Sequence, residues 1–516
     1  MGDPSDTPTL VSPDEAVRVA LAWHREGRFA EAAILYQRTL EVEPMHAEAL
    51  HFLGMLRYQL GAPDDGLDYV RQAVAVAPHY AEAQCNLGNM LYERNEFDDA
   101  EAAYLAALDL QPALTDALNN LGLLSKRRGD PEAAEGWLRR AIDQAPENPT
   151  AYSNLAHLLA DRERYEEAET LLERAIELEP QFAAAHRNLA DVYHAQGRLP
   201  EATAAYQRAV ELGADGLLGL ATTLRKQGLV EEAIAAFRKA WQLGARDPSL
   251  FHSLGSLLSA QGKQAEAADV FQQWLTWDPD NPVAAHMLSA NTANTSHQLP
   301  SRAPDDYVEA IFDGFARHFD RRLQSLEYRA PELVARALVE DRADVTALHI
   351  LDAGCGTGLC GPLLRDSAAV LEGVDLSRAM LERAEQRGCY DRLVKAELTA
   401  FLEQHSARYD AVVSADTLVY FGDLEHALRA SARALRAQGR LVFTVEQLVA
   451  TNGAVYRLQG NGRYAHSAAY IQRVIEHTGL RLLRSDEVVL RLEMANPVAG
   501  LLVVAERSTA PYPLHR

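Results

Sequence analysis

The pattern of apolar and polar positions changes near the middle of the chain. Up to about residue 281, apolar and small residues recur at helical spacing, and the whole pattern returns every 34 residues. Five prolines mark this period: Pro44, Pro78, Pro112, Pro146 and Pro180. Beyond residue 305, helical stretches alternate with short apolar runs. The pattern therefore predicts a helical repeat followed by an α/β domain.

Small residues stand twelve and twenty-four positions before each proline of the repeat, as Gly66 and Gly54 do before Pro78. Small residues let two helices approach closely, and the proline ends the second helix. This pattern resembles the tetratricopeptide repeat, and it predicts eight helical hairpins between residues 13 and 281. With a capping helix, the predicted repeat domain spans 13–290 and forms an α-solenoid, the tetratricopeptide superhelix.

Asparagine occupies one equivalent position in four successive repeats, namely Asn86, Asn120, Asn154 and Asn188. An asparagine amide both donates and accepts hydrogen bonds, so it can pair with a peptide backbone. This arrangement resembles the asparagine ladder in the repeats of O-linked N-acetylglucosamine transferase, which implies a protein or peptide partner in the concave groove. The alternative is that these asparagines are ordinary repeat residues that stabilise local turns.

The segment 291–304 is rich in Asn, Ser, Thr and Pro and lacks apolar periodicity, which is typical of a linker. The second domain is then expected at 305–507, with its first helices, 305–340, covering the site as a lid. Seven apolar runs predict a mostly parallel sheet with an antiparallel hairpin at its end. These runs are Leu348–Ala353, Val370–Val374, Arg392–Lys395, Ala411–Val413, Arg440–Val445, Val488–Leu492 and Leu501–Ala505.

The first of these strands ends in the motif Asp352-Ala-Gly-Cys-Gly-Thr-Gly358. Glycines at alternate positions allow a tight turn and a close approach of the backbone to a ligand. The second strand ends at Asp375, where a carboxylate can accept both hydroxyls of a ribose. Nicotinamide binding is an alternative, but its fingerprint requires a small residue where Leu359 stands.

Taken together, DAGCGTG, Asp375, YDAVVSADTLVYFGDL and RLVFTVE resemble a Rossmann-like class I S-adenosylmethionine-dependent methyltransferase. Combined with the repeats, they resemble a bacterial family of predicted methyltransferases. The resemblance implies cofactor contacts from Asp352, Gly354, Gly356, Gly358, Asp375, Leu376 and Glu397. Asp352 would orient the amino group, Asp375 would hold the ribose and Leu376 would pack on the adenine. Glu397 is either an acid near the adenine amino group or a surface residue.

Two residues are candidates for the chemistry itself. Asp416 follows the fourth strand, where such enzymes often contact substrate or cofactor, although it could instead cap a helical turn. His466 lies after the fifth strand and could act as a base, with His318 as another candidate. A base is needed only for a protonated nucleophile, and a histidine in such a place is more often a packing residue. No metal site is expected.

Composition and charge reduce the number of functions that the sequence allows. The formal charge is −23, from 73 acidic and 50 basic residues, which disfavours nucleic-acid binding. There are four cysteines without a CxxC pair and no apolar segment of membrane-spanning length, and the first residues are polar. We therefore expect a cytoplasmic methyltransferase whose repeats bind a protein partner or substrate. The alternatives are a small-molecule methyltransferase whose repeats serve assembly, and a scaffold with an inactive catalytic domain.

Overall fold

The computed structural model describes residues 12–292, 300–316, 319–340, 346–449, 454–493 and 496–508. The chain divides into two compact units, Met1–Leu229 and Val230–Arg516. The second unit thus holds the last repeat helices as well as the α/β domain. The segment expected to be a linker, 291–304, falls inside this unit, although 293–299 lie outside the described residues.

The described part of the first unit consists of thirteen helices, of which the first twelve pair into six antiparallel hairpins. These are α1 Pro13–Arg25, α2 Phe29–Val42, α3 Ala47–Gln59, α4 Pro63–Val76, α5 Ala81–Glu93, α6 Phe97–Leu110, α7 Thr115–Arg127, α8 Pro131–Gln144, α9 Pro149–Asp161, α10 Tyr165–Leu178, α11 Ala183–Ala195, α12 Leu199–Glu211 and α13 Leu217–Lys226. This periodic helical array confirms the repeat predicted from the proline spacing.

Small residues let the two helices of a hairpin touch through their backbones. A Cβ atom on Gly54 of α3 would lie 2.8 Å from the carbonyl oxygen of Gly66 in α4. One on Gly66 would lie 2.7 Å from the carbonyl oxygen of Gly54. Any larger side chain would force the helices apart, because packed interiors leave no such space. Glycine also ends many first helices, and Gly61 after α3 has a φ of 86°, which favours glycine.

The second unit begins with three repeat helices and the helix that follows them, and continues into the helices that precede and cover the sheet. These are α14 Val230–Gln242, α15 Pro248–Ala260, α16 Gln264–Trp277, α17 Pro282–Thr292, α18 Asp305–Phe315, α19 Phe319–Ser325, α20 Ala330–Val339, α21 Gly361–Leu364, α22 Arg378–Gln386, α23 Leu398–Glu403, α24 Glu425–Ala434 and α25 Ala468–His477. The helix predicted to cap the repeats corresponds to α17.

The strands of the described residues form one mixed sheet. They are β1 Leu348–Ala353, β2 Ala368–Asp375, β3 Arg392–Lys395, β4 Tyr409–Ser414, β5 Leu435–Gln447, β6 Tyr456–Leu458, β7 Tyr464–His466, β8 Leu480–Glu493 and β9 Asn496–Arg507. The order 3-2-1-4-5 is parallel, and β9 then pairs antiparallel with both β5 and β8. The α/β Rossmann-like fold and all seven predicted strands are thereby confirmed.

Two short strands were not predicted. The antiparallel pair β6 and β7 extends the sheet beyond the carboxyl end of β5, where Glu446 and Gln447 pair with Ala465 and His466. Each of these strands has three residues, which is too short for an alternating pattern to show in a sequence. The hairpin brings residues 456–466 to the edge where the carboxyl ends of the parallel strands meet.

Buried side chains cover both faces of the sheet. On one face, Val334 and Leu338 of α20 pack with Ile350 and Val413. On the other, α23, α24 and α25 pack against residues such as Phe443, which has no exposed surface. Binding residues are therefore left to the loops at the carboxyl ends of the strands, as is usual for open α/β sheets.

Candidate functional site

The glycine motif forms the loop between β1 and α21. Gly354, Gly356 and Gly358 all have positive φ values, 77°, 54° and 82°. Gly354 and Cys355 donate their amide hydrogens to the carbonyl oxygen of Val374, which ties the loop to β2. Within the part of the chain that the structure describes, no heavy atom other than those of Gly356 and its two neighbours lies within 4 Å of the place where a Cβ of Gly356 would stand, so this part of the backbone is open to a ligand.

Asp375 lies beside this loop at the end of β2. Its Oδ2 atom accepts the amide hydrogen of Gly356 at 2.9 Å, and its Oδ1 atom accepts that of Ser377 at 2.9 Å. Burial raises the pKa of this carboxyl group. Each oxygen retains acceptor capacity, so the carboxylate can still take hydroxyl donors. Leu376, the next residue, is half-buried.

Asp352, at the end of β1, is only 1% exposed. Its Oδ2 atom accepts the hydroxyl hydrogen of Tyr390 at 2.6 Å, whereas its Oδ1 atom has no hydrogen-bond partner among the described residues. Burial raises the pKa of this group to about 7, and the charge of Asp375 adds to the rise. A buried acceptor without a donor is costly, so this oxygen calls for a donor from a ligand.

Two aspartates of α18 and α19, the helices expected to form a lid, contact the loops that follow β1 and β2. Asp313 of α18 accepts the hydroxyl hydrogen of Ser377 at 2.5 Å. Asp320 of α19 accepts that of Thr357, in the glycine loop, at 2.5 Å. These contacts place α18 and α19 against both loops that carry the predicted cofactor residues. His318, between the two helices, lies outside the described residues.

Glu397 caps a helix. Its carboxylate accepts the amide hydrogens of Thr399 and Ala400 at the start of α23, and Arg302 donates to it at 2.7 Å. These donors hold the pKa of Glu397 below its usual value, against the effect of burial. The cap gives this glutamate a structural role, and its contact with a cofactor stays a prediction.

Asp416 belongs to a buried cluster of charges at the carboxyl ends of β4 and β5. Its Oδ1 atom accepts the hydroxyl hydrogen of Thr444 at 3.0 Å, and Arg491 of β8 donates to its Oδ2 atom at 2.8 Å. Arg491, 2% exposed, also pairs with Glu446 and Glu493. The carboxylate of Asp416 therefore caps no helix, and burial raises its pKa although Arg491 opposes the rise.

Arg463 adds a second guanidinium to this charge cluster. Its Nη1 atom lies 3.0 Å from Glu493 and 3.4 Å from Glu446. Its side chain is 30% exposed, far more than the 2% of Arg491. It comes from the turn between β6 and β7. Arg463 is thus the more exposed guanidinium of the cluster, and Glu493, whose side chain is 38% exposed, is its other accessible member.

His466 does not line this site. It has no exposed surface, and its Nε2 atom lies 3.1 Å from the carbonyl oxygen of Gly422. Its ring stacks on Tyr470 at 5.9 Å between centroids. Burial lowers its pKa to about 4, so the ring is neutral at neutral pH. This geometry argues against the predicted base, because a fully enclosed imidazole has no route to a substrate proton.

The burial of neutral His466 predicts that the folded protein loses stability as the pH falls. The folded state holds His466 neutral down to about pH 4, whereas the unfolded chain binds the proton near pH 6.5. We expect the free energy of unfolding to lose about 2 kcal/mol between pH 7 and pH 5 from this residue alone. Urea denaturation at both values measures it. His466→Gln should lose about 2 kcal/mol less over the same interval, and an equal loss would contradict the prediction.

The four repeat asparagines all reach back to the preceding repeat. Their amide nitrogens lie 2.7–3.0 Å from His51, Asn89, Asn119 and Ser153, respectively. They therefore help to hold adjacent repeats together. Among the described residues, the carbonyl oxygens of Asn120 and Asn154 accept no hydrogen bond, so they could still accept one from a peptide. The expected contact of the asparagines with a peptide stays a prediction.

Arg491 and Glu446 of the charge cluster were not predicted as site residues. Arg491 lies in the strand segment VVLRLE. A charged residue directly after an apolar run indicates a buried ion pair, so this position has a signal in the sequence. Glu446 ends the fifth strand and could have been noticed in the same way. Tyr307, in the first of the helices expected to form a lid, is 3% exposed and stacks on His286 of α17 at 3.9 Å between ring centroids.

Comparisons with known proteins agree with this architecture. Residues 351–443 match a family profile described as a methyltransferase domain. Segments between residues 24 and 282 match profiles of the tetratricopeptide repeat. The chain therefore carries tetratricopeptide repeats followed by a methyltransferase domain, and such a domain implies a methyl donor of the S-adenosylmethionine type.

Individual relatives cover only parts of the chain. Malonyl-(acyl-carrier protein) O-methyltransferase of Pseudescherichia vulneris is 32% identical over 137 residues, 27% of this chain and 52% of that protein. Human methyltransferase-like protein 27 is 41% identical over 100 residues, 19% of this chain and 40% of that protein. The chain thus spans about half the length of the curated relatives it matches.

The solved structure of PilF from Pseudomonas aeruginosa is 20% identical, with a TM-score of 0.36. It covers 39% of this chain and 92% of its own. No helix among the described residues has the length and apolar character needed to cross a bilayer. Nor do those residues contain a cluster of three metal-binding side chains.

Proposed function

We propose that the protein is an S-adenosylmethionine-dependent methyltransferase whose repeats recruit the protein that is, or that carries, the methyl acceptor. One observation supports the cofactor above all. The Oδ1 atom of buried Asp352 has no hydrogen-bond partner among the described residues and lies at the end of the strand that leads into the open glycine loop. Asp375 accepts an amide hydrogen from that loop. This set suits a ligand with an amino group and a ribose and without a phosphate.

The residues divide the binding between them. Asp352 would take the amino group, Gly354, Gly356 and Gly358 would run beneath the ligand, and Asp375 would hold the ribose hydroxyls. Leu376 would pack on the adenine, with Glu397 near its amino group. S-adenosylmethionine supplies, when bound, a methyl group on a sulfonium for in-line displacement. The contacts of Asp313 and Asp320 would hold α18 and α19 over these loops as a lid, which would limit the entry of water.

The acceptor would bind at the charge cluster of Asp416, Glu446, Arg463 and Arg491. Because His466 is enclosed and its pKa is about 4, we propose an acceptor atom that reacts without a protein base. An oxygen with a low pKa, such as a carboxylate, meets this condition. The relative from Pseudescherichia vulneris is named an O-methyltransferase of a malonyl group on a carrier protein, which supports an oxygen acceptor.

The experiment uses cofactor with a labelled methyl group and a fractionated cell extract. We expect label to appear in a protein fraction with the full chain and to fall at least tenfold with the unit Val230–Arg516, because that unit lacks most of the repeats. Circular dichroism and calorimetry with S-adenosylmethionine check that the unit is folded and binds cofactor. Equal labelling by both proteins would favour a small-molecule acceptor, and no labelling despite cofactor binding would favour the inactive scaffold.

A further inference from the structure

The turn that carries Arg463, residues 459–463, is held by the repeat helices of the same unit. His286 of α17 is 3% exposed, and its Nε2 atom lies 2.9 Å from the carbonyl oxygen of Gly462. Asn291, also on α17, donates to the carbonyl oxygen of Gly460 at 3.2 Å. Burial lowers the pKa of His286, so the neutral ring donates through Nε2 to this oxygen.

Packing encloses the same turn. A Cβ atom on Gly460 would overlap the hydroxyl oxygen of Ser259 in α15. One on Gly462 would lie 2.5 Å from the hydroxyl oxygen of Tyr307 and 3.0 Å from the sulfur of Met287. The turn thus fits against α15, α17 and α18 without space for a side chain. We call Ser259, His286, Met287, Asn291 and Tyr307 the turn clamp.

The turn is also closed internally and tied to the charge cluster. The amide of Gln459 donates to the carbonyl oxygen of Arg463 at 2.7 Å, and the amide of Gly462 donates to that of Gln459 at 2.8 Å. The side chains of Gln459 and Arg463 both pair with Glu446 at the end of β5. A shift of the turn would therefore move Arg463 relative to the carboxyl ends of β4 and β5.

We propose that His286 and Asn291 of α17, the helix that follows the last repeat, are positioning residues of the transfer site, because they fix the backbone of the 459–463 turn and thereby set the position of the Arg463 guanidinium. The inference rests on the proposed function for what Arg463 serves, an acceptor at the charge cluster. The geometry of the clamp itself is independent of that function. The repeats then contribute directly to the geometry of the methyltransferase domain.

The test uses the full chain and two ways to loosen the clamp. His286→Phe keeps an aromatic ring against Tyr307 but lacks the donor to Gly462, whereas His286→Gln keeps a donor. Gly460→Ala pushes against Ser259, and the added substitution Ser259→Ala removes the atom it meets. Ala285→Ser, at an exposed position of α17, is the matched control.

Two measurements need no acceptor. Hydrogen exchange reports the amides of residues 456–466, and modification by phenylglyoxal, mapped by mass spectrometry, reports the accessibility of Arg463. We expect His286→Phe and Gly460→Ala to raise both rates about tenfold, as the loss of one buried hydrogen bond allows. His286→Gln, Gly460→Ala with Ser259→Ala, and Ala285→Ser should stay within about twofold of the parent protein.

Unchanged rates of hydrogen exchange and of Arg463 modification in His286→Phe and Gly460→Ala would overturn the proposal. It would also be overturned if the rates of Gly460→Ala stayed high after Ser259→Ala was added. Calorimetry with S-adenosylmethionine separates this result from the proposed function. If the parent protein binds no cofactor, the proposed function fails while the exchange data still decide on the clamp. If cofactor binds normally and the exchange rates do not respond, only the clamp is wrong.

Discussion

Asp375→Asn is expected to weaken the binding of S-adenosylmethionine at least tenfold. Asp375 is placed to accept ribose hydroxyls, and a hydrogen bond to a charged group contributes about 1.5–3 kcal/mol. The substitution removes the charge and keeps one oxygen, which can accept from only one of the amides of Gly356 and Ser377, because these donate to different carboxylate oxygens. The dissociation constant from isothermal titration calorimetry, measured at pH 7.5 and fixed salt, checks the expectation.

The control for this experiment is Asp366→Asn. Asp366 is an exposed acid of the same domain, in the short turn Arg365–Ser367 before β2. Its replacement removes the same charge and should change the cofactor affinity less than twofold. An Asp375→Asn protein that melts at the parent temperature and binds cofactor with the parent affinity would show that this carboxylate does not hold the ribose.

Arg491→Met is expected to lower the free energy of unfolding by about 3–5 kcal/mol, because it leaves buried carboxylates without their shared partner. Arg491 is 2% exposed and pairs with Asp416, which is 14% exposed, and Glu446, which is 3% exposed. Methionine is apolar and fills much of the same space, so the loss reports charge more than volume. Urea denaturation of the full chain, followed by tryptophan fluorescence and circular dichroism, measures the change.

The Arg491→Met protein should unfold with a lower free energy than the parent protein, and the pH dependence of this deficit shows whether it comes from lost charge pairing or from lost packing. Burial raises the pKa of Asp416 and Arg491 opposes that rise, so the substitution raises this pKa further. The folded variant then takes up a proton more readily than the unfolded chain as the pH falls. The deficit relative to the parent protein should therefore shrink between pH 8 and pH 5. Adding Glu446→Gln should also recover part of it, and a deficit that is constant with pH and unrelieved by Glu446→Gln would indicate lost packing.

The sequence was informative about the fold because its signals repeat or alternate over long stretches. The 34-residue period predicted the hairpins of the repeat, and alternating apolar runs predicted the strands β1 to β5, β8 and β9. The hairpin of β6 and β7 was missed, since it depends on pairing with the end of β5 and not on a local pattern. The repeat pattern continues across the boundary between the units at Val230, with one repeat about three residues short, and so gives no signal of that boundary.

The site shows the same difference between local and distant signals. Gly354, Gly356, Gly358 and Asp375 form a motif whose turn geometry is local, and the structure places them at one edge of the sheet. His466 was a residue type chosen for its chemistry, and its enclosure by Gly422 and Tyr470 is a tertiary fact. The charge cluster brings Asp416 and Arg491 together from positions 75 residues apart, which no spacing rule predicts.

The packing of the 459–463 turn against α15 and α17 limits how the repeats can be exchanged to give this protein a different partner. A chimera joined within 291–304, where the composition is typical of a linker, would replace Ser259, His286 and Asn291 with residues that are not complementary to this turn. A junction near Val230 would keep these partners together and exchange only the hairpins before it. The useful site for fusion is thus set by complementary surfaces and not by the most polar stretch of chain.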